Sequence, residues 1–173
     1  MGIKAALSKV YAKQIVRGTK KWTKHPHGAQ EHTFEMLLRK AAQTAFGKDH
    51  HFQDIHSFQD YREAVPVREY EELRPYFDRI KAGEENVCWP GRPIYLSKTS
   101  GTTSGAKYIP ITKDSIAHHL NAARNALLSY INESGNAQFV DGKMIFLQGS
   151  PILEKESGID VGRLSGIVAH HVP

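Results

Sequence analysis

Apolar residues recur at helical spacing along much of this chain. In residues 1–24, Ile3, Leu7, Val10, Tyr11 and Ile15 stand among lysines and arginines with no Asp or Glu. This pattern predicts a basic amphipathic helix, packed by that stripe and anchored at its end by Trp22. His25-Pro26-His27-Gly28 interrupts it. A second helix is predicted over about 29–46, with Phe34, Leu37, Leu38, Ala41 and Ala45 as its stripe and Gly47 as its stop. Ser57 reads as the N-cap of a short helix ended by Val65-Pro66. A further helix runs over Tyr70–Ala82, with Glu71 and Glu72 in its first turn, Arg79 and Lys81 in its last, and Gly83 ending it. A long helix follows Thr112 or Asp114 and reaches about Asn132, burying Ile116, Leu120, Ala123, Leu127, Leu128 and Ile131.

Strand-like segments are shorter. Pro93-Ile94-Tyr95-Leu96 and Tyr108-Ile109-Pro110-Ile111 carry β-branched and aromatic residues, and Lys143–Gln148 reads as a buried strand whose following loop, Gly149-Ser150-Pro151, faces the site. The glycine-rich segment 158–168 yields no assignment.

Between the first two strands lies Thr99-Ser100-Gly101-Thr102-Thr103-Ser104-Gly105-Ala106-Lys107, with five hydroxyl side chains and two glycines in its first seven residues. Glycine lets backbone N–H groups converge on an anion, hydroxyls add donors and lysine adds a point charge, so the loop suits a polyphosphate. It is not a Walker A loop: Gly105 comes one place too early, Ala106 precedes the lysine, and Tyr108 stands where Ser or Thr would hold magnesium. Nor does it have the glycine spacing of a dinucleotide fingerprint.

The run closely resembles the phosphate loop of the acyl-adenylate-forming superfamily, which includes acyl-CoA synthetases, peptide-synthetase adenylation domains and luciferases. It departs from that pattern at Ser104 and Ala106. With Tyr108-Ile109-Pro110 added, it is more similar to the auxin-responsive (Gretchen Hagen) family of acyl-acid amido synthetases, in its bacterial form. Val65-Pro66-Val67-Arg68-Glu69-Tyr70-Glu71-Glu72-Leu73-Arg74-Pro75-Tyr76, Gly83-Glu84 and Gly162-Arg163-Leu164-Ser165-Gly166-Ile167 also resemble that family.

The resemblance implies an α/β fold, the N-terminal portion of the large domain of an adenylate-forming enzyme, with helices packed on a mixed sheet and the phosphate loop between two strands (94–112). On this reading residues 1–173 are the N-terminal part of the large domain, residues 1–24 its basic N-terminal helix, and the rest of that domain and a small C-terminal domain lie outside the chain. The implied activity is ATP-dependent adenylation of a carboxylic acid, then amide formation with an amino acid. Thr99, Ser100, Gly101, Thr102, Thr103, Ser104, Gly105 and Lys107 would hold ATP, with Thr102 and Lys107 acting in catalysis and magnesium neutralising the remaining charge. Arg124, on the helix that walls the acid pocket in related enzymes, is a candidate for the substrate carboxylate, against the alternative of a solvated helix arginine. An acyl-CoA or aryl-CoA ligase shares the first half-reaction, and a non-catalytic nucleotide-binding or interaction module is the alternative of another class.

Charge and composition change this picture little. A net charge of +5 suits a polyanionic ligand. The lysines are not interleaved with aromatics and no nucleic-acid fold motif is present, so nucleic acid is not expected as a partner. No apolar run approaches a membrane span. The single cysteine, Cys88, excludes an internal disulfide framework and fits a reducing cytoplasm; with no base partner it reads as a partly buried structural thiol. Lys48-Asp49-His50-His51-Phe52-Gln53-Asp54-Ile55-His56 lacks zinc-site spacing and reads as a polar loop beyond a helix C-terminus, and no metal ligand is assigned.

Overall fold

The computed structural model describes residues 2–99 and 105–171. Two units are distinguished: residues 32–115 with 149–173, which contain the whole sheet, and residues 1–31 with 116–148.

In the sheet-bearing unit, β1 (Tyr95–Thr99) and β2 (Lys107–Ile111) pair antiparallel on either side of the hydroxyl-rich run, Thr99 opposite Lys107. This is the predicted strand–loop–strand, with β1 continuing into the run as far as Thr99. β1 also pairs parallel with β4 (Ile159–Gly162), which pairs antiparallel with β3 (Glu154–Glu156), giving a mixed sheet of order β2-β1-β4-β3. The β3–β4 hairpin turns on Ser157 (φ 47°) and Gly158 (φ 79°), and two left-handed residues in succession suit the right-handed twist of such a hairpin. Pro110 has no N–H, so it cannot exchange bonds with Leu96, its partner across the hairpin; the bonded positions are its neighbours, and Tyr108 and Pro110 face away from β1.

The core beside the sheet consists of Ile80, Val87, Leu96, Ile159 and Val161, with Tyr76, Phe77, Cys88 and Tyr108 packed against it. Burying each aliphatic side chain contributes about 1.5–3 kcal/mol. α5 (Tyr70–Lys81) supplies Ile80, Tyr76 and Phe77 from one face. Glu72 accepts the Glu69 N–H at 2.7 Å, and Gly83 leaves the helix at φ 95°, as the capping pattern requires. α4 (Phe58–Ala64) begins, as predicted, at Ser57, whose hydroxyl accepts from Asp60 N–H while the Asp60 carboxylate accepts from Ser57 N–H.

The predicted helix over 29–46 is two helices, α2 (Pro26–Ala41) and α3 (Ala45–Asp49). Thr44 divides them: its buried hydroxyl donates to Ala41 O at 2.7 Å and accepts from Gly47 N–H at 3.0 Å, so it ends one helix and caps the next. Gly47 is therefore no stop. It lies inside α3, where a Cβ would collide with the Ala41 carbonyl oxygen. The expected polar loop at 48–56 is partly core: His50 is 4% exposed, its ring stacks on Phe46 with centroids 4.1 Å apart, and its Nδ1 lies 2.8 Å from Phe46 O. Residues 26–28 belong to α2, Pro26 occupying the first turn where its missing N–H is harmless.

The other unit is built on α1 (Ile3–Thr23) and on α6 (Lys113–Ser134) from residue 116 onwards. Ala5 and Ala12 pack with Leu128, Ile131 and Ala137. Ile15 of the predicted α1 stripe packs against this cluster, but the buried residues of the helix are Ala5, Ala12 and Val16, while Ile3, Leu7 and Val10 are more than 60% exposed and Trp22 more than half. Alanines let the facing chain approach closely, which the bulky stripe does not. On α6, Ile116, Leu128 and Ile131 are buried as expected, but Ala123 and Leu127 are exposed. Residues 143–148 form no strand and are not buried; Ile145 and Leu147 are 89% and 99% exposed. Apolar content alone does not make a strand: the backbone needs a neighbour, and none of the described strands pairs with it.

Candidate phosphate-binding site

β1 and β4 run in the same direction, Ser97 beside Gly162, so their carboxyl ends open on one edge of the sheet. Ligands of α/β sheets bind outside that edge. A cavity of about 580 Å³ lies there. Its wall includes Lys98 and Thr99 at the end of β1, Gly105 and Ala106 leading into β2, Gly162 and Arg163 at the end of β4, and Ser150, Ile152 and Glu154 from the segment entering β3.

The closing motif Gly162–Ile167 builds one side of this cavity. The Gly149 N–H donates to Ser165 Oγ at 2.9 Å, and His170 Nε2 stands 2.7 Å from Pro151 O. Gly166, in α7 (Leu164–Ala169), lies so close to Ser150 that a Cβ would strike its carbonyl oxygen. These contacts hold 149–151 against α7. Ser150 consequently lines the cavity, as the sequence suggested, although no strand delivers it.

The cations around the site differ in their partners. Lys98 Nζ meets the Glu154 carboxylate at 3.0 Å, and this hydrogen bond, with the Tyr108 and Glu154 charges adding to it, holds the ammonium above its usual pKa. Lys107, the first residue of β2, has no carboxylate partner among the described residues; its Nζ sits 5.3 Å from the centre of the Tyr70 ring. Arg163 also has no carboxylate partner among the described residues. Arg163 in the wall and Lys107 next to its lining residue Ala106, neither with a carboxylate partner among the described residues, suit the carboxyl edge of these strands to an anion.

Of the residues expected to bind ATP, Thr99 and Gly105 line the cavity and Lys107 follows directly. Ser100, Gly101, Thr102, Thr103 and Ser104 lie outside the described residues. Arg124 is exposed in the other unit, where its Nε and Nη2 donate to Asn125 Oδ1 and its guanidinium faces the Tyr11 ring at 5.6 Å. Arg163 and Glu154 were missed. The Ser157-Gly158 pair between two polar-apolar runs was the available signal, since it predicts the hairpin that delivers both. Cys88 is half-buried, and desolvation pushes its thiol up to about 11, as expected of a structural cysteine.

Comparison with known proteins agrees with this architecture. The chain is 33% identical over 94 residues to indole-3-acetic acid-amido synthetase GH3.15 of Arabidopsis thaliana, covering 53% of this chain and 16% of that protein. It is 24% identical over 143 residues to jasmonoyl–L-amino acid synthetase JAR4 of Nicotiana attenuata, covering 81% of this chain and 24% of that one. A solved structure of the AtGH3.15 acyl acid amido synthetase in complex with 2,4-DB superposes with a TM-score of 0.79 at 22% identity, over 94% of this chain and 29% of that one. The chain therefore has the fold of that part of an amido synthetase and spans less than a third of the length of these relatives. The GH3 family N-terminal domain matches residues 16–172, nearly the whole chain, and the chain belongs to the GH3 family.

Proposed function

We propose that this chain supplies the phosphate-binding part of an ATP-dependent acyl-acid amido synthetase. The observation that carries the reading is the cavity at the carboxyl edge of the parallel β1–β4 pair, lined by Thr99 and Gly105 from the two described ends of the hydroxyl- and glycine-rich run and by Arg163, which has no carboxylate partner among the described residues. The relatives named as an indole-3-acetic acid-amido synthetase and a jasmonoyl–L-amino acid synthetase support the same class of reaction here.

In the first step a substrate carboxylate oxygen attacks the α-phosphorus of ATP, and the bond to pyrophosphate breaks. Charge grows on the leaving pyrophosphate, so donors and cations at the β- and γ-phosphates lower the barrier. Thr99, Ser100, Gly101, Thr102, Thr103, Ser104 and Gly105 hold these phosphates through hydroxyls and backbone N–H groups, and Lys107 adds its charge; Thr102 and Lys107 act on the transition state. Magnesium would supply neutralisation of part of the triphosphate's charge, and no side chain of this chain is assigned to hold it. In the second step the amino-acid nitrogen attacks the acyl carbon, AMP leaves, and the nitrogen loses a proton. Arg124 is assigned to the acid's carboxylate before activation. Residues 1–173 form the N-terminal part of the large adenylating domain, whose remainder, with a C-terminal domain, completes the adenine and acceptor sites. The single cysteine supports the cytoplasm as its place of work. No helix among the described residues is long and apolar enough to cross a membrane.

The test is ATP–pyrophosphate exchange by the complete protein across aryl, indole and aliphatic acids, with hydroxylamine to trap the acyl-adenylate. Acid-dependent exchange is expected, with Lys107→Ala and Thr102→Ala each lowering it by roughly a hundredfold. Wild-type exchange in both variants would overturn the loop assignment. Amide formation from an added amino acid, against thioester formation from CoA, identifies the acceptor.

A further inference from the structure

α5 meets the strand that leaves the phosphate run at its first two residues. Tyr70, the first residue of α5, stands half-buried beneath Lys107, whose Nζ is 5.3 Å from the ring centre, and its Oη accepts the Tyr108 N–H at 2.8 Å. That N–H faces away from β1, so the tyrosine hydroxyl satisfies a donor that the sheet leaves over. The ring is fixed in turn by stacking on Phe77, one heptad along the same helix, with centroids 5.1 Å apart. Tyr108 is held a second way: Lys81 Nζ sits 4.3 Å over its ring and 2.9 Å from Glu156.

We infer that Tyr70 is a positioning residue for Lys107, one side chain fixing both the backbone that carries the lysine and the space its ammonium occupies. The inference rests on the phosphate-binding reading of the loop. A flexible lysine loses rotamer freedom when it is immobilised on a ligand. A ring beneath the ammonium restricts that freedom before the anion arrives, and an aromatic face does so without neutralising the charge, as a carboxylate would. A hydrogen bond to the adjacent N–H fixes the Cα from which the side chain departs.

Tyr70→Phe removes the acceptor and keeps the ring, and Tyr70→Leu removes both. Binding of ATP and AMP to the complete protein is measured for each, alone and combined with Lys107→Met, after thermal melting shows the variants folded. Only ATP carries the phosphates that Lys107 meets. The expected result is that ATP affinity falls about threefold or more in Tyr70→Phe and further in Tyr70→Leu, with AMP affinity unchanged. In the Lys107→Met background neither change lowers ATP affinity again, because the lysine it acts through is gone. Equal losses for ATP and AMP, or additive losses with Lys107→Met, would overturn the inference and leave Tyr70 a packing residue. Normal ATP binding in the Tyr70 variants with weakened binding in Lys107→Met overturns this inference alone. Normal ATP binding in Lys107→Met overturns the phosphate-loop reading and the inference together.

Discussion

Lys98 and Glu154 meet at 3.0 Å on the wall of the cavity, β1 to β3 across the intervening strand. The pair silences a cation at the edge where the anion is proposed to bind. Both side chains keep more than a third of their exposure, so the pair adds little to stability. Glu154→Gln is expected to alter unfolding free energy by no more than about 0.5 kcal/mol. Its effect falls on charge: pyrophosphate binding, followed by calorimetry, tightens severalfold at low salt, and the gain shrinks as ionic strength rises.

The glycines of the closing motif differ in what a methyl group would meet. At Gly166 it would meet the Ser150 backbone oxygen, which cannot move without shifting the cavity wall; at Gly162 it would meet the end of the Leu153 side chain, which can rotate. Gly166→Ala is expected to cost about 1–3 kcal/mol in denaturant unfolding and to weaken nucleotide binding, and Gly162→Ala to cost clearly less.

Burial holds the Cys88 thiol at about 11, so almost none is thiolate at pH 8. Iodoacetamide treatment followed by peptide mass spectrometry is expected to leave Cys88 unmodified in the folded protein at pH 8 and to modify it fully in denaturant.

Asp60 is held below its ordinary carboxyl pKa of 3.8, first by the His56 N–H and then by the Ser57 side chain. A depressed folded pKa means stabilisation that is full above the unfolded value and lost as pH falls through the folded one. The difference in melting temperature between wild type and Asp60→Asn should therefore be constant above about pH 5 and vanish towards pH 2.

The elements legible in the sequence were those whose signals are local. Ser57 and Asp60 cap α4 from within one turn, Glu69 and Glu72 open α5, and the hydroxyl run is bounded by the strands its flanks predicted. What escaped depends on partners distant in sequence. α1 buries Ala5 and Ala12 because Leu128 and Ile131 approach that face, a fact no periodicity within α1 contains. Residues 143–148 have strand composition and no described neighbour strand. The split at Thr44 is written locally, as a threonine three residues before a glycine, but a continuous apolar stripe concealed it. At the site, Lys107 is legible from its motif, whereas Tyr70 lies under its ammonium and holds the neighbouring Tyr108 N–H from 38 positions away, which no local signal contains.

Pro110 has a consequence beyond its place in the hairpin. Along the outer side of β2, Tyr108 spends its N–H on Tyr70, Pro110 has none, and the Thr112 N–H is taken by Ser115 Oγ at 2.9 Å. A strand from another chain would find carbonyl groups there but no donor, and could form only half a ladder. At the opposite margin β3 is three residues long, Glu154-Lys155-Glu156, and all of them are charged. Both margins of the described sheet thus resist the edge-to-edge growth from which fibrils and aggregates start, one through absent donors and the other through shortness and charge.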